Sequence, residues 1–412
     1  MARNQAASNA LWTISLLTIP RREEYLERLL ASLAALEGRE RFEVTVVYNA
    51  ATAEEPMSIE QRIQRLAPSL RVRVYVNTTD PTIGGGRRVQ LAVCRTPLVA
   101  FVDDDLTLHG DVLGALEEAL RTRPLGIVGL PSYEEDTDKR FKPRESTPYT
   151  VIDGVRYMPV QGMLVAGYRR LFSDIGGFNP RRQFWGEWTE LNLRLWRLGF
   201  PTGYVMDRGY LRHWHKAPES PTRNMPGRER HVLWGLMCTA LEYDAVSINE
   251  ASETFWRLAQ DRYLAYSFGE QPSPKLLLAS VLELMPRLSN EWSAMRAFAE
   301  EARRHPFQFM PFEPLSADQV RQVIAQANDA IAPYRPDALG QAEIPNDRRD
   351  PWWRRIARAA SPRRSPRADD VPHLTTRALP PITAERSIHD PDRVRMPSSA
   401  AHDAVSAIGD NN

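Results

Sequence analysis

The sequence predicts an α/β domain built on a mostly parallel sheet flanked by helices, then an all-helical C-terminal region, then a disordered tail. Three observations carry this reading. Residues 10–130 alternate short apolar runs with amphipathic stretches, the pattern of successive strand–helix units. Residues 253–333 keep a helical period with no strand pattern. From residue 345 onward, 68 residues hold nine Pro, twelve Arg and few large apolar side chains, which cannot offset the entropy of ordering. The expected boundaries are 1–245 for the α/β domain, 246–340 for the helical region and 341–412 for the tail.

Trp12–Ile19 reads as the first strand, and Tyr25, Leu26, Leu29, Leu30 and Leu33 recur at helical spacing after it. Phe42–Tyr48 is a second strand, Ile59–Leu66 a short helix and Val72–Val76 a third strand. Gly84-Gly85-Gly86 opens a helix that runs to Val93. Leu98–Val102 is a fourth strand, Val112–Leu120 a helix and Gly126–Leu130 a strand. Right-handed crossovers then place the strands in parallel, with ligands beyond their C-terminal ends.

After 131 the pattern changes. Tyr133–Pro148 is polar and loop-like, and Asp153-Gly154 marks a hairpin between Thr150–Ile152 and Val155–Met158. Val160–Ala166 is an apolar strand. Leu171, Phe172 and Ile175 form a short helix that stops at Gly176-Gly177. Glu187–Leu198 is a helix closed by Gly199. Tyr204–Met206 and Tyr210–Trp214 are strands, and Arg228–Tyr243 is a helix. Ser316 with Gln319 forms a capping box ahead of a helix lined by Val320, Val323, Ile324, Ala327 and Ile331.

Composition excludes several classes. The 412 residues carry 53 basic and 52 acidic side chains, a balance that argues against a nucleic-acid partner. The two cysteines exclude a disulfide scaffold and any all-Cys metal site. No apolar run approaches the about 20 residues of a membrane span. Leu11–Pro20 resembles a signal-peptide core, but only Arg3 precedes it and Arg21-Arg22-Glu23-Glu24 follows at once, so it reads as a buried strand. A cytoplasmic protein is expected.

Four patterns carry chemistry. Phe101-Val102 delivers Asp103-Asp104-Asp105 to the end of the fourth strand. In a strand, Asp103 and Asp105 point to one side, as two oxygen ligands of a hard cation would. Mn²⁺ or Mg²⁺ bridging a diphosphate suits them; the alternative is a solvated acidic loop. Glu187 and Glu190 lie one turn apart at a helix start. A carboxylate there can take a proton from a substrate hydroxyl, or Glu190 can pair with Arg194. His213 and His215 share one strand face, for a metal or phosphate or as ordinary polar neighbours of Trp214. Gly84-Gly85-Gly86-Arg87-Arg88 at a helix start can bind an anion through backbone N–H groups, although it lacks the spacing of a phosphate loop or a dinucleotide fingerprint.

The order of these pieces resembles the family 2 glycosyltransferases of GT-A fold. The resemblance covers about residues 10–245. Ser15–Pro20 with Glu24–Leu30 is similar to the family's first strand and helix. Gly86-Arg87-Arg88-Val89-Gln90-Leu91 stands where the family has Ala-Arg-Asn-x-Gly-Leu, and Asp103-Asp104-Asp105 matches its Asp-x-Asp. Gln161–Val165 through Gly176-Gly177-Phe178-Asn179 is similar to the donor-sugar strand and its Gly-Gly-Phe-Asp turn. Gly186-Glu187 with Leu191–Gly199 is similar to the Glu-Asp helix.

The resemblance implies a nucleoside-diphosphate-sugar donor, a glycan, lipid-linked or small-molecule acceptor, and Mn²⁺ or Mg²⁺. It implies Glu187 as the base of an inverting transfer. Asp105, Asp103 and His213 would serve the metal. Thr18, Pro20, Asn49, Arg87, Asp103, Asp104, Gln161, Gly162 and Trp185 would line the donor. Glu190, His215 and Trp188 are further candidates. The sequence departs from the family at Trp188, where the second acid of the pair is usual, at Tyr48-Asn49 and at Arg21-Arg22. Glu187-x-x-Glu190 also resembles a motif of retaining enzymes. Two other readings are a GT-A-like binder of sugar nucleotides or glycans without catalysis and a sugar nucleotidyltransferase; the second lacks a glycine between Thr18 and Glu24. In the tail, Asp350 caps a short helix beginning at Pro351. Trp352, Trp353 and the arginines after them suit an anionic membrane surface or docking on the helical region.

Overall fold

The structure, a computed structural model, describes residues 10–49, 56–134, 150–160, 162–206, 208–214, 228–244, 273–303 and 316–335. The chain divides into two units, 1–362 and 363–412. The second unit, Gln161, His215, Trp352 and Trp353 lie outside the described residues.

In the first unit a nine-stranded sheet runs in the order β3-β2-β1-β4-β10-β6-β11-β9-β8. Its strands are β1 (Trp12–Thr18), β2 (Phe42–Asn49), β3 (Val72–Asn77), β4 (Leu98–Asp103), β6 (Ile127–Gly129), β8 (Thr150–Ile152), β9 (Val155–Tyr157), β10 (Leu164–Tyr168) and β11 (Thr202–Val205). Pairing is parallel from β3 through β2 and β1 to β4. All seven residues of β1 are buried, as a strand covered on both faces requires. Its polar members are satisfied: Thr13 Oγ1 and Thr96 Oγ1 lie 2.6 Å apart, and Thr45 Oγ1 donates to Ser15 Oγ at 2.8 Å. Beyond β4 the sheet is mixed, because β10 enters antiparallel to both β4 and β6. The helices α1 (Glu23–Ala35), α2 (Pro56–Leu66), α3 (Ile83–Val93), α4 (Val112–Thr122), α5 (Arg169–Asp174) and α6 (Glu187–Arg197) follow the predicted order.

Two strands were hidden in the sequence. β5 (Leu106–Gly110) follows the acidic triplet, and β7 (Ser132–Glu134) opens the polar stretch; with β12 (Gly209–His213) they form a second, three-stranded sheet in the order β5-β12-β7. The apolar run Val160–Ala166 is not one strand. Met163 takes φ +70°, and β10 begins only at Leu164.

The C-terminal helices form no separate body. α7 (Arg228–Thr239) continues through a π turn (Ala240–Asp244), and α8 (Pro274–Arg303) packs on both through Leu233, Trp234, Cys238, Leu284 and Met295. α9 (Ala317–Ile331) starts at the expected Ser316–Gln319 capping box and returns to the sheet, burying Val320, Val323, Ala327 and Ile331 in the main apolar cluster. Among the described residues no helix is long and apolar enough to cross a membrane.

Candidate active site

The acidic triplet sits at a corner. β4 ends at Asp103, Asp104 and Asp105 form a turn, and β5 leads away. The strand alternation that would aim Asp103 and Asp105 at one cation therefore breaks, and the three carboxylates part. Asp104 points inward and is 5% exposed. It accepts from Thr18 Oγ1 (2.6 Å), from Arg22 Nε (2.9 and 3.0 Å) and from Arg22 Nη2 (2.7 Å). Burial pushes its carboxyl up to about 6 and the Asp105 charge adds to the push, while Arg22 and Thr18 pull it back. Thr18 and Asp104, both expected at the donor, face each other.

Asp105 Oδ2 accepts from Arg22 Nη2 at 2.7 Å and lies 3.6 Å from His213 Nε2. The backbone N–H of Trp214 donates to Asp105 O at 2.8 Å, so the end of β12 is pinned to this turn. Nothing local in the sequence marks Arg22 as a partner of the acidic triplet. Its guanidinium, buried and 4.6 Å over the Tyr25 ring, serves two carboxylates at once. The signal was arithmetic: three adjacent acids beside a core call for a cation.

Asp103 has a different environment. Its Oδ1 pairs with Arg87, and its Oδ2 accepts from Met163 N at 3.1 Å. Arg87, 3% exposed, also donates to Gln90 Oε1 at 3.0 Å and lies 5.2 Å over the Trp188 ring. A Cβ on Gly162 would stand 3.2 Å from Trp188 Cδ1 and 3.7 Å from Asp103 Oδ2, so glycine keeps that approach open.

The glycine run binds no anion through its amides, which are all occupied. Gly84 N donates to Gln183 O (2.7 Å), Gly85 N to Thr82 Oγ1 (3.0 Å) and Gly86 N to Thr82 O (2.9 Å). Close packing is the reason for glycine here. A Cβ would meet Arg182 O at 1.9 Å from Gly84, Asp80 O at 2.1 Å from Gly85 and Leu17 Cδ1 at 2.4 Å from Gly86.

Glu187 is the first residue of α6, behind Gly186 at φ +81°, and is 8% exposed. Burial raises its proton affinity; the charges of Arg87 and Arg182 act against that and Asp103 adds to it. Glu190, 0% exposed, pairs with Arg194 at 2.8 Å. Arg194 in turn caps Ile175 O (2.5 Å) and Gly177 O (2.6 Å), so this pair secures the glycine turn. Trp188 is core, packed edge-on against Phe101 and Phe178. Asn49 is 3% exposed; it donates to Thr82 O (2.9 Å) and accepts from Asn77 Nδ2 (2.8 Å), holding β2 to the start of α3. Pro20 is half-buried in the turn after β1. Trp185 lies on α7 at Gly235.

The structure thus forms two groups. One is Asp103, Arg87, Gly162 and Trp188. The other is Asp104, Asp105, Thr18 and His213 around Arg22. Among the described residues no three His, Cys, Asp or Glu side chains converge as a metal cage. Asp105 Oδ2 and His213 Nε2, 3.6 Å apart, are the side-chain atoms of this group that a hard cation would need.

Residues 17–185 match the family described as glycosyl transferase family 2. That stretch is a family 2 glycosyltransferase domain. The match contains Arg87 and the acidic triplet and stops two residues short of Glu187. Among solved structures, GalNAc-T7 with UDP, GalNAc and Mn²⁺ is 13% identical at a TM-score of 0.46, covering 68% of this chain and 58% of that one. This chain thus spans less than two thirds of that relative. TarS 1–349 from S. aureus is 15% identical (TM-score 0.42, 77% and 91% covered). The mannosyltransferase PcManGT from Pyrobaculum calidifontis, with GDP-Man and Mn²⁺, is 16% identical (TM-score 0.43, 72% and 87% covered). No curated protein sequence matches the chain.

Proposed function

We propose that this glycosyltransferase moves a sugar from a nucleoside-diphosphate sugar to an acceptor hydroxyl with inversion, Glu187 taking the acceptor proton. The observation that carries this is the setting of Glu187. It is a nearly buried carboxylate at a helix start, of raised proton affinity, with Arg87 and Asp103 acting on it. A base works best when its pKa lies near the operating pH, and burial moves Glu187 in that direction. Asp103 and Arg87 are assigned to the ribose or diphosphate. Asp105 and His213 would hold Mn²⁺ or Mg²⁺, which when bound supplies charge neutralisation for the departing diphosphate.

The test is release of nucleoside diphosphate from a panel of UDP- and GDP-sugars in Mn²⁺. Glu187→Gln should lower kcat by about 100-fold or more with donor affinity nearly unchanged. If Glu190→Gln does so and Glu187→Gln does not, Glu187 is not the base. Excess chelator should stop wild-type turnover until Mn²⁺ is restored; full activity in chelator would remove the metal. The anomeric configuration of the product, read by NMR, decides inversion.

A further inference from the structure

The stretch from Asn179 to Trp185 joins the glycine turn to α6 and is gripped on both sides. On one side its backbone meets α3. Gly84 N donates to Gln183 O, and the bare Cα of Gly84 faces Arg182 O. On the other side its side chains meet α7. Arg182, 0% exposed, donates to Gly235 O and, at 2.9 Å, to Glu242 Oε2 in the π turn. Glu242 also receives Asn179 Nδ2 at 3.4 Å, and Trp234 Nε1 donates to Arg181 O at 3.1 Å. Trp185 rests on Gly235 itself: a Cβ there would stand 2.4 Å from Trp185 Cε3 and 3.1 Å from Trp185 O. Two residues further on is Glu187.

The geometry points to Gly235 as a positioning residue for catalysis: its bare Cα is the seat of Trp185, and that seat sets where α6 begins and where the Glu187 carboxylate stands. This deepens the proposed role of Glu187 and rests on it. The seat acts on the base more than on the donor, because Asp103, Asp105 and His213 hang from β4, the acidic turn and β12. A methyl group at 235 cannot be absorbed by a flexible side-chain end. It meets an indole ring and a backbone carbonyl, so Trp185 must shift and the first turn of α6 must follow. Displacements near 1 Å at a reacting group cost up to about 100-fold in rate.

The experiment compares wild type, Gly235→Ala, Trp185→Phe and the double variant Gly235→Ala/Trp185→Phe, whose smaller ring vacates the contested space. Turnover, donor KM and thermal midpoint are measured for each, with Glu187→Gln as control. Gly235→Ala should lower kcat by about 10-fold or more with donor KM within about twofold. The double variant should recover kcat to within about threefold of Trp185→Phe. If Gly235→Ala does not fold, the double variant carries the test. Unchanged kcat in Gly235→Ala, loss of kcat, donor affinity and melting temperature together, or a double variant no better than the single one would overturn the proposal. Full turnover in Glu187→Gln would instead overturn the base assignment, so the two failures are separate.

Discussion

Two buried arginines each hold carboxylates in this protein, and the balance of charge around them differs. Arg22 faces two carboxylates, Asp104 and Asp105, at 2.7 Å each. Arg182 shares the Glu242 carboxylate with Arg181 and Asn179. At the first site anionic charge is in surplus, and its outer member lies against His213. At the second a carboxylate is enclosed by cations and an amide. The contrast separates a cluster with surplus negative charge from one that braces the chain.

Breaking the bracing cluster should have the largest effect. Arg182→Met leaves Glu242 buried without its closest cation, a change that costs about 3–5 kcal/mol where buried pairs are cut. Urea unfolding should show that loss, and activity should fall with it. Arg22→Met should do the reverse. Asp104 keeps its Thr18 hydrogen bond, so stability should fall by only about 1–3 kcal/mol. Turnover should fall by about 100-fold, since Asp105 loses the group that orients it; the check is kcat beside a circular dichroism melt. An Arg22→Met enzyme with full turnover would erase the distinction.

The smallest effect sharpens the comparison through pH. Burial raises the proton affinity of Glu242, with Arg182 and Arg181 acting against it. Between the ordinary carboxylate value and the raised folded one, the folded state therefore binds more protons than the unfolded state. As pH rises through that window, wild type should lose stability relative to Glu242→Gln, by at most about 1.4 kcal/mol per unit. Parallel pH–stability curves for the two proteins would contradict this.

The parts legible in the sequence were those whose partners are local or whose burial is complete. β1, β2 and β4 are apolar runs because both faces are covered, and the Glu190–Arg194 pair follows from helical spacing. β5 escaped notice because its partner is about a hundred residues away, with Leu106 opposite His213. The reason for glycine at 84 escaped notice in the same way: the atom that demands it, Arg182 O, is about a hundred residues away. The corner at Asp104 was hidden because its inward turn depends on Arg22, 82 residues earlier.

The return of α9 to the sheet has a consequence for synthesis on the ribosome. Val320, Val323, Ala327 and Ile331 complete a core whose strands end with β12. After His213 emerges, 118 more residues must follow before Ile331 does. At about 5–20 residues per second, the apolar surface that α9 covers stays open for roughly 6 to 24 s. The nascent chain thus spends that interval with its strands made and its core unsealed, a window in which a holdase chaperone would find an apolar target that the finished protein conceals.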